Sequence, residues 1–81
     1  MKLKVKFRRI KDLREDHDLL QKDVASLLGI SQQYYSEYEK GNRTITLSHL
    51  ITLAKYYDVS LDYLVGLSND DSNINKKNKL A

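Results

Sequence analysis

Over most of this chain the apolar residues recur every three to four positions, which is the period of a helix buried on one side. Ile10 and Leu13 hold that spacing between Phe7 and His17, among good helix formers, and predict a first helix. Asp16, His17 and Asp18 are weaker formers, and Asp tolerates a left-handed cap, so this helix is predicted to stop there. From Gln21 to Leu28, a short second helix would place Val24, Ala25 and Leu28 on one face, with Gly29 free to take the positive φ of a C-cap. The Ser31 hydroxyl is suited to cap a third helix from Gln32 to about Lys40, which Gly41 and Asn42 end. Thr46 then caps a fourth, in which Leu47, Leu50, Ile51, Ala54 and Tyr57 form a wide stripe predicted to face the core, before Asp58 ends it. Ser60 caps a short fifth helix whose buried positions are expected to be Leu61, Leu64 and Val65, closed by Gly66.

The two ends depart from this pattern. Leu3, Val5 and Phe7 alternate with Lys2, Lys4 and Lys6, a period of two that suits a short edge strand. An isolated strand needs a partner, such as the same segment of a second copy; without one this is a basic arm. Beyond Leu67 the composition turns to Ser, Asn, Asp and Lys, with too few apolar residues to offset the entropy of ordering. The organisation expected is therefore an arm over residues 1–6, one all-α domain over 7–67 and a mobile polar tail over 68–81.

Eighty-one residues suffice for one small core, and the absence of Cys leaves helix packing, rather than disulfides or thiolate metal sites, to stabilise it. Apolar runs such as Leu27-Leu28 and Leu64-Val65 are far too short to span a bilayer, and the charged first eleven residues lack the apolar stretch of a secretory signal. A cytoplasmic protein with no membrane partner is expected. Charge sharpens this picture. The net charge is +3, but six cations (Lys2, Lys4, Lys6, Arg8, Arg9, Lys11) precede the first acid, so the remainder carries −3. A basic pole favours a polyanion, and charge alone leaves nucleic acid and a membrane surface both open.

A short helix, a turn containing Gly and a second short helix with its own N-cap form the architecture of a helix-turn-helix, although any small bundle contains such a pair. The residues are more telling. Gln21-x-x-Val24-Ala25-x-x-Leu28-Gly29-Ile30-Ser31-Gln32-x-x-x-Ser36-x-Tyr38-Glu39-x-Gly41 resembles the core motif of the phage Cro and repressor (XRE-type) family. Leu47-x-x-Leu50-x-x-Leu53-Ala54-x-Tyr56-Tyr57-x-Val59-Ser60-Leu61-Asp62-Tyr63-Leu64-x-Gly66 is similar to its last two helices, so the resemblance spans about Phe7 to Leu67. It implies a five-helix, λ-repressor-like DNA-binding domain, with helices 2 and 3 as the reading unit, in a transcriptional regulator of the repressor kind. In that family the first residue of helix 2, the first two of helix 3 and one a turn further on face DNA. Here these are Gln21, Gln32, Gln33 and Glu37.

The residue chemistry is compatible with those roles. Tyr35 and Tyr38, three apart, are expected to pack inward, leaving Gln33, Glu37 and Lys40 on the opposite face. Gln bonds adenine through N6 and N7, a carboxylate accepts from cytosine N4, and Lys40 at the helix end suits a phosphate. Base reading is assigned to Gln32, Gln33 and Glu37; an ordinary solvated face is the plain alternative. Backbone contact is assigned to Gln21, at a helix N-terminus, and to Lys40, Asn42 and Arg43. Tyr34 also joins them, with packing beside Tyr38 an equal alternative. Arg14 and Glu39 resemble a pair that bridges helices 1 and 3 in this family, a structural role.

The chain departs from the family where Leu20 replaces a capping Ser, Thr or Asn, which predicts a poorly capped second helix, and where Asp18 replaces Gly. Tyr35 fills a position that usually holds Ile or Val, so either its neighbours yield volume or its hydroxyl reaches the surface. Ile45 replaces a common proline. No catalytic, cofactor or metal pattern is present: His17 ends a helix, His49 is alone on its own, and both are expected at the surface. The expected partners are a double-stranded DNA operator and a second copy, with Leu61, Tyr63, Leu67 and the Leu3–Val5 arm as candidate dimer surfaces. The rival is a protein-interaction module, an antitoxin or adaptor whose partner is a toxin or another regulator.

Overall fold

The computed structural model describes residues 6–68, so the strand-or-arm expectation for residues 1–5 and the tail from 69 onward lie outside the described residues. Five helices follow in order: α1 (Arg8–Asp16), α2 (Gln21–Leu28), α3 (Gln32–Lys40), α4 (Leu47–Tyr57) and α5 (Leu61–Leu64). α2 packs on α3, α1 on α3 and α5, and α4 on α5. The core comprises Ile10, Leu13, Val24, Ala25, Tyr35, Tyr38, Ile45, Leu50, Leu53, Ala54, Tyr57, Val59 and Leu64. Each fully buried aliphatic side chain in it, such as Ile10 or Leu53, contributes about 1.5–3 kcal/mol.

Caps set the helix limits. Ser31, Thr46 and Ser60 each accept from the backbone N–H three residues on, as their hydroxyls suggest. Asp18 and Asp58 take φ of 56° and 58° behind α1 and α4, the left-handed conformation that Asp tolerates better than most residues. α2 starts at Leu20, which has no side-chain cap, yet Asp23 compensates: its Oδ2 accepts from Leu20 N at 2.8 Å. The weak start expected from Leu20 is thus corrected by the residue three positions later. Behind α2, Gly29 takes φ 72° and Ile30 N bonds Ala25 O at 3.0 Å. That closure leaves Ile30 partly buried against the core, which fixes the turn between α2 and α3.

Four burial expectations fail wholly or in part. On α4, Leu50, Leu53, Ala54 and Tyr57 face inward, but Leu47 is 64% exposed and Ile51 37% exposed. Leu61 of α5 is open as well, and Val65 only partly buried. Helical spacing says which residues share a face; it does not say that another helix covers the whole of it. Tyr35 is wholly inside, and its hydroxyl, like that of Tyr57, is buried with no hydrogen-bond partner. Neither hydroxyl reaches the surface as Tyr35's extra volume allowed. Burial first, then the nearby Glu39 carboxylate, pushes the Tyr35 phenol far up, and burial pushes that of Tyr57 up to about 12.

Candidate nucleic-acid interface

α3 is two-faced. Tyr35, Tyr38 and Glu39 point inward, whereas Gln32, Gln33 and Lys40 are exposed and Glu37 is half-buried on the outer side. Ser31 starts the helix and Gly41, at φ 83°, ends it; Asn42 N and Arg43 N both donate to Glu37 O, at 3.0 and 3.3 Å. The backbone thus wraps back over the last turn and delivers Asn42 and Arg43 beside Glu37. Tyr34, Glu37, Asn42, Arg43 and Thr44 line one open groove of about 620 Å³. Sequence reasoning named the first four of these residues; Thr44 carried no signal.

Aromatic contacts hold the groove's wall. The Arg43 guanidinium lies over the Tyr34 ring, 4.5 Å from its centre, and the Tyr34 ring meets Tyr38 edge-on at 5.4 Å. Packing beside Tyr38 is therefore real, and it coexists with an exposed edge on Tyr34. Tyr38 is itself tethered: its hydroxyl and His49 Nδ1 are 2.9 Å apart. His49 is half-buried and joins α4 to α3, a correction to its reading as a surface histidine. Nothing in the spacing of two residues eleven apart announces that bond. His17 is exposed, as expected, with Nδ1 2.8 Å from Leu13 O.

At the other end of α3 the linkage is ionic. Arg14 Nε donates to Glu39 Oε2 at 2.7 Å and Nη2 to Oε1 at 3.2 Å, a two-point contact in which Glu39 is 6% exposed. Arg14 Nη1 also donates to Leu19 O at 2.8 Å, tying the turn before α2. Gln21, half-buried at the first position of α2, donates from Nε2 to Glu39 Oε1 at 2.9 Å. Burial works to raise the Glu39 carboxyl, but the hydrogen bonds from Arg14, with that from Gln21, outweigh it, leaving the carboxyl below its ordinary value. The same hydrogen bond, against some desolvation, raises Arg14. The pair thus joins α1 to α3 as its resemblance implies, and Gln21 enters the network as a third member.

The basic pole is partly spent inside the fold. Arg9 Nη1 donates to the carbonyls of Tyr63, at 2.8 Å, and Ser68, and its guanidinium lies 4.2 Å above the Tyr63 ring. Arg9 pins the end of the domain to α1 rather than facing a polyanion, and Tyr63 is committed to that contact. Lys6, by contrast, is exposed and sits at the end of α3: a Cβ added at Gly41 would come within 2.9 Å of Lys6 Cβ. Among the described residues, no group of three or more His, Cys, Asp or Glu is placed to hold a metal, and no helix is long and apolar enough to cross a membrane.

The chain is 38% identical over 71 residues to the uncharacterized HTH-type transcriptional regulator YobD of Bacillus subtilis, covering 86% of this chain and 63% of that protein. It is 39% identical over 71 residues to the cryptic phage CTXphi transcriptional repressor RstR of Vibrio cholerae, covering 88% and 62%. The chain therefore spans about three fifths of the length of these relatives. A crystal structure of a transcriptional regulator from Listeria innocua superposes with a TM-score of 0.72 at 28% identity, over 96% of this chain and 75% of that one. The helix-turn-helix family model matches residues 10–64, the stretch from the first core residue of α1 to the last of α5, and the chain belongs to that helix-turn-helix family.

Proposed function

We propose that this chain binds double-stranded DNA sequence-specifically, with α3 in the major groove, and acts in transcriptional regulation as a repressor. The observation that carries this reading is the two-faced α3: its aromatic face is locked in the core while an uninterrupted polar face and a cation-bearing loop stand open. Gln32, Gln33 and Glu37 supply donors and acceptors for base edges. Gln21, Tyr34, Lys40, Asn42 and Arg43 surround them as phosphate contacts, with Gln21 also placed at a helix N-terminus that favours an anion. Arg43, stacked on Tyr34, is pre-positioned and loses less freedom on binding than an unrestrained cation. The relatives named as regulators and repressor support the reading. As a homodimer the chain would meet a palindrome with half-sites about one helical turn apart, in the cytoplasm and on the nucleoid.

Selection of bound duplexes from a random pool tests this. A palindromic consensus bound in a strongly salt-dependent manner is expected. Changing Glu37→Gln moves preference at one base pair per half-site from C toward A by about 1–3 kcal/mol. Changing Lys40→Ala weakens all duplexes alike and lowers the salt slope by about one. Enrichment of no sequence overturns the reading and turns attention to a toxin or another regulator as partner.

A further inference from the structure

The hydrogen bond between His49 and Tyr38 lies away from the polar face of α3, yet it stands at the head of a file of side chains that ends at Arg43. Thr46 sets the start of that file: its Oγ1 accepts from His49 N at 3.3 Å and fixes the first turn of α4. The His49 ring then lies 5.8 Å from the Tyr38 ring, with Nδ1 2.9 Å from the hydroxyl. A phenol hydroxyl both donates and accepts, so either imidazole tautomer completes this bond. Tyr38, 2% exposed, meets Tyr34 edge-on, and the Arg43 guanidinium lies over the Tyr34 ring.

We infer that His49 is a positioning residue for DNA binding: without touching DNA, it fixes through Tyr38 and Tyr34 where the Arg43 guanidinium stands. This rests on the reading of Arg43 as a phosphate contact. The members of the file are held to different degrees. The Arg43 backbone is tied to Glu37 O, but its guanidinium, at the end of a long exposed side chain, is steadied by the Tyr34 ring. Tyr34 is in turn 37% exposed and takes its support from the edge of Tyr38. Tyr38 has core contacts along its ring, Tyr35 among them, and a tie at its far end, the hydroxyl. That tie holds the direction of the ring axis, because the hydroxyl lies on the axis at the greatest distance from Cα. Losing it lets the axis tilt, and the tilt passes to Tyr34 and then to Arg43. A guanidinium no longer held in place must be ordered again when it binds, and affinity falls by that cost. The file bypasses Lys40 and Asn42, so His49 acts on one phosphate contact and not on the others.

Titration of the full chain against the duplex enriched from the random pool, at fixed salt, tests the inference. His49→Leu lowers affinity about two- to fivefold, the size of a lost guanidinium–ring contact, with helical circular dichroism unchanged. His49→Asn, whose side-chain amide can stand where Nδ1 stood, restores most of the loss. Tyr38→Phe, which removes the other half of the bond, reproduces it and carries the test should His49→Leu fail to fold. In an Arg43→Ala background His49→Leu has no further effect, whereas in a Lys40→Ala background it keeps its full effect. Losses at His49 and Arg43 that multiply overturn the inference, since they show His49 contacting DNA itself or acting only on stability. An unchanged affinity in His49→Leu, or an Asn variant that restores nothing, overturns it as well. Failure of the DNA reading is separate: it shows as a wild-type chain that enriches no duplex, or as Arg43→Ala binding like the wild type, and the inference then falls with it.

Discussion

The two flanks of α3 secure the same helix by different means. On the α1–α2 side a nearly buried carboxylate, Glu39, gathers Arg14 and Gln21. On the α4 side a column of rings and one side-chain hydrogen bond runs from His49 through Tyr38 and Tyr34 to Arg43. Charge inside a fold is unforgiving, since each partner relies on the other to offset its desolvation, and loss of one strands the rest. Rings lose contact area by degrees. The ionic flank therefore governs whether α3 is in place, while the aromatic flank tunes how its far end and the following loop are presented.

The sharpest way to break the contrast is Arg14→Met. It leaves the Glu39 carboxylate buried without its cation and is expected to cost on the order of 3–5 kcal/mol in chemical denaturation, while Arg14→Met with Glu39→Leu recovers much of that loss. Acid acts on the same group. Because the folded-state pKa of Glu39 lies below the ordinary 4.5, its contribution is complete above that value and is lost as pH falls through the lower, folded pKa. Denaturation midpoints followed from pH 6 downward should therefore drop below about pH 4.5 in the wild type, and less steeply in the double variant.

Smaller effects are expected on the aromatic flank. Tyr38→Phe removes a partly shielded hydroxyl and leaves His49 Nδ1 without its partner, at a cost of about 1 kcal/mol. Its thermal midpoint should fall by only a few degrees. Arg43→Lys keeps the charge and gives up the planar contact with Tyr34, and is expected to lower duplex affinity by about 0.5–1 kcal/mol with little change in salt slope. If Tyr38→Phe costs as much as Arg14→Met, the two flanks are not different in kind.

Much of this was legible in advance because it is local. Ser31, Thr46 and Ser60 cap helices from their own side chains, Asp18 and Asp58 stop them, and the alternation of inward Tyr35 and Tyr38 with outward Gln33 and Lys40 follows from one turn of helix. Arg14 and Glu39 were legible only through the family resemblance. What escaped depends on which elements meet. Leu47, Ile51 and Leu61 have core-like spacing but no helix above them among the described residues, His49 finds Tyr38 across the α3–α4 connection, and Arg9 turns toward Tyr63 from 54 residues away. The base and phosphate roles proposed for the α3 face would belong to a complex, so neither spacing nor the free fold assigns them.

The seat of Lys6 on Gly41 bears on how the chain can be joined to others. Gly41 already needs its positive φ, and Lys6 fills the space a side chain there would take, so the polypeptide ahead of α1 departs from a point in contact with the end of α3. Anything fused upstream of Lys6, whether a purification tag, a fluorescent domain or a naturally occurring extension, would be tethered near the surface proposed to meet DNA. Fusion at that end would act as a steric competitor at high local concentration, whereas the opposite end of the domain is held against α1 by Arg9.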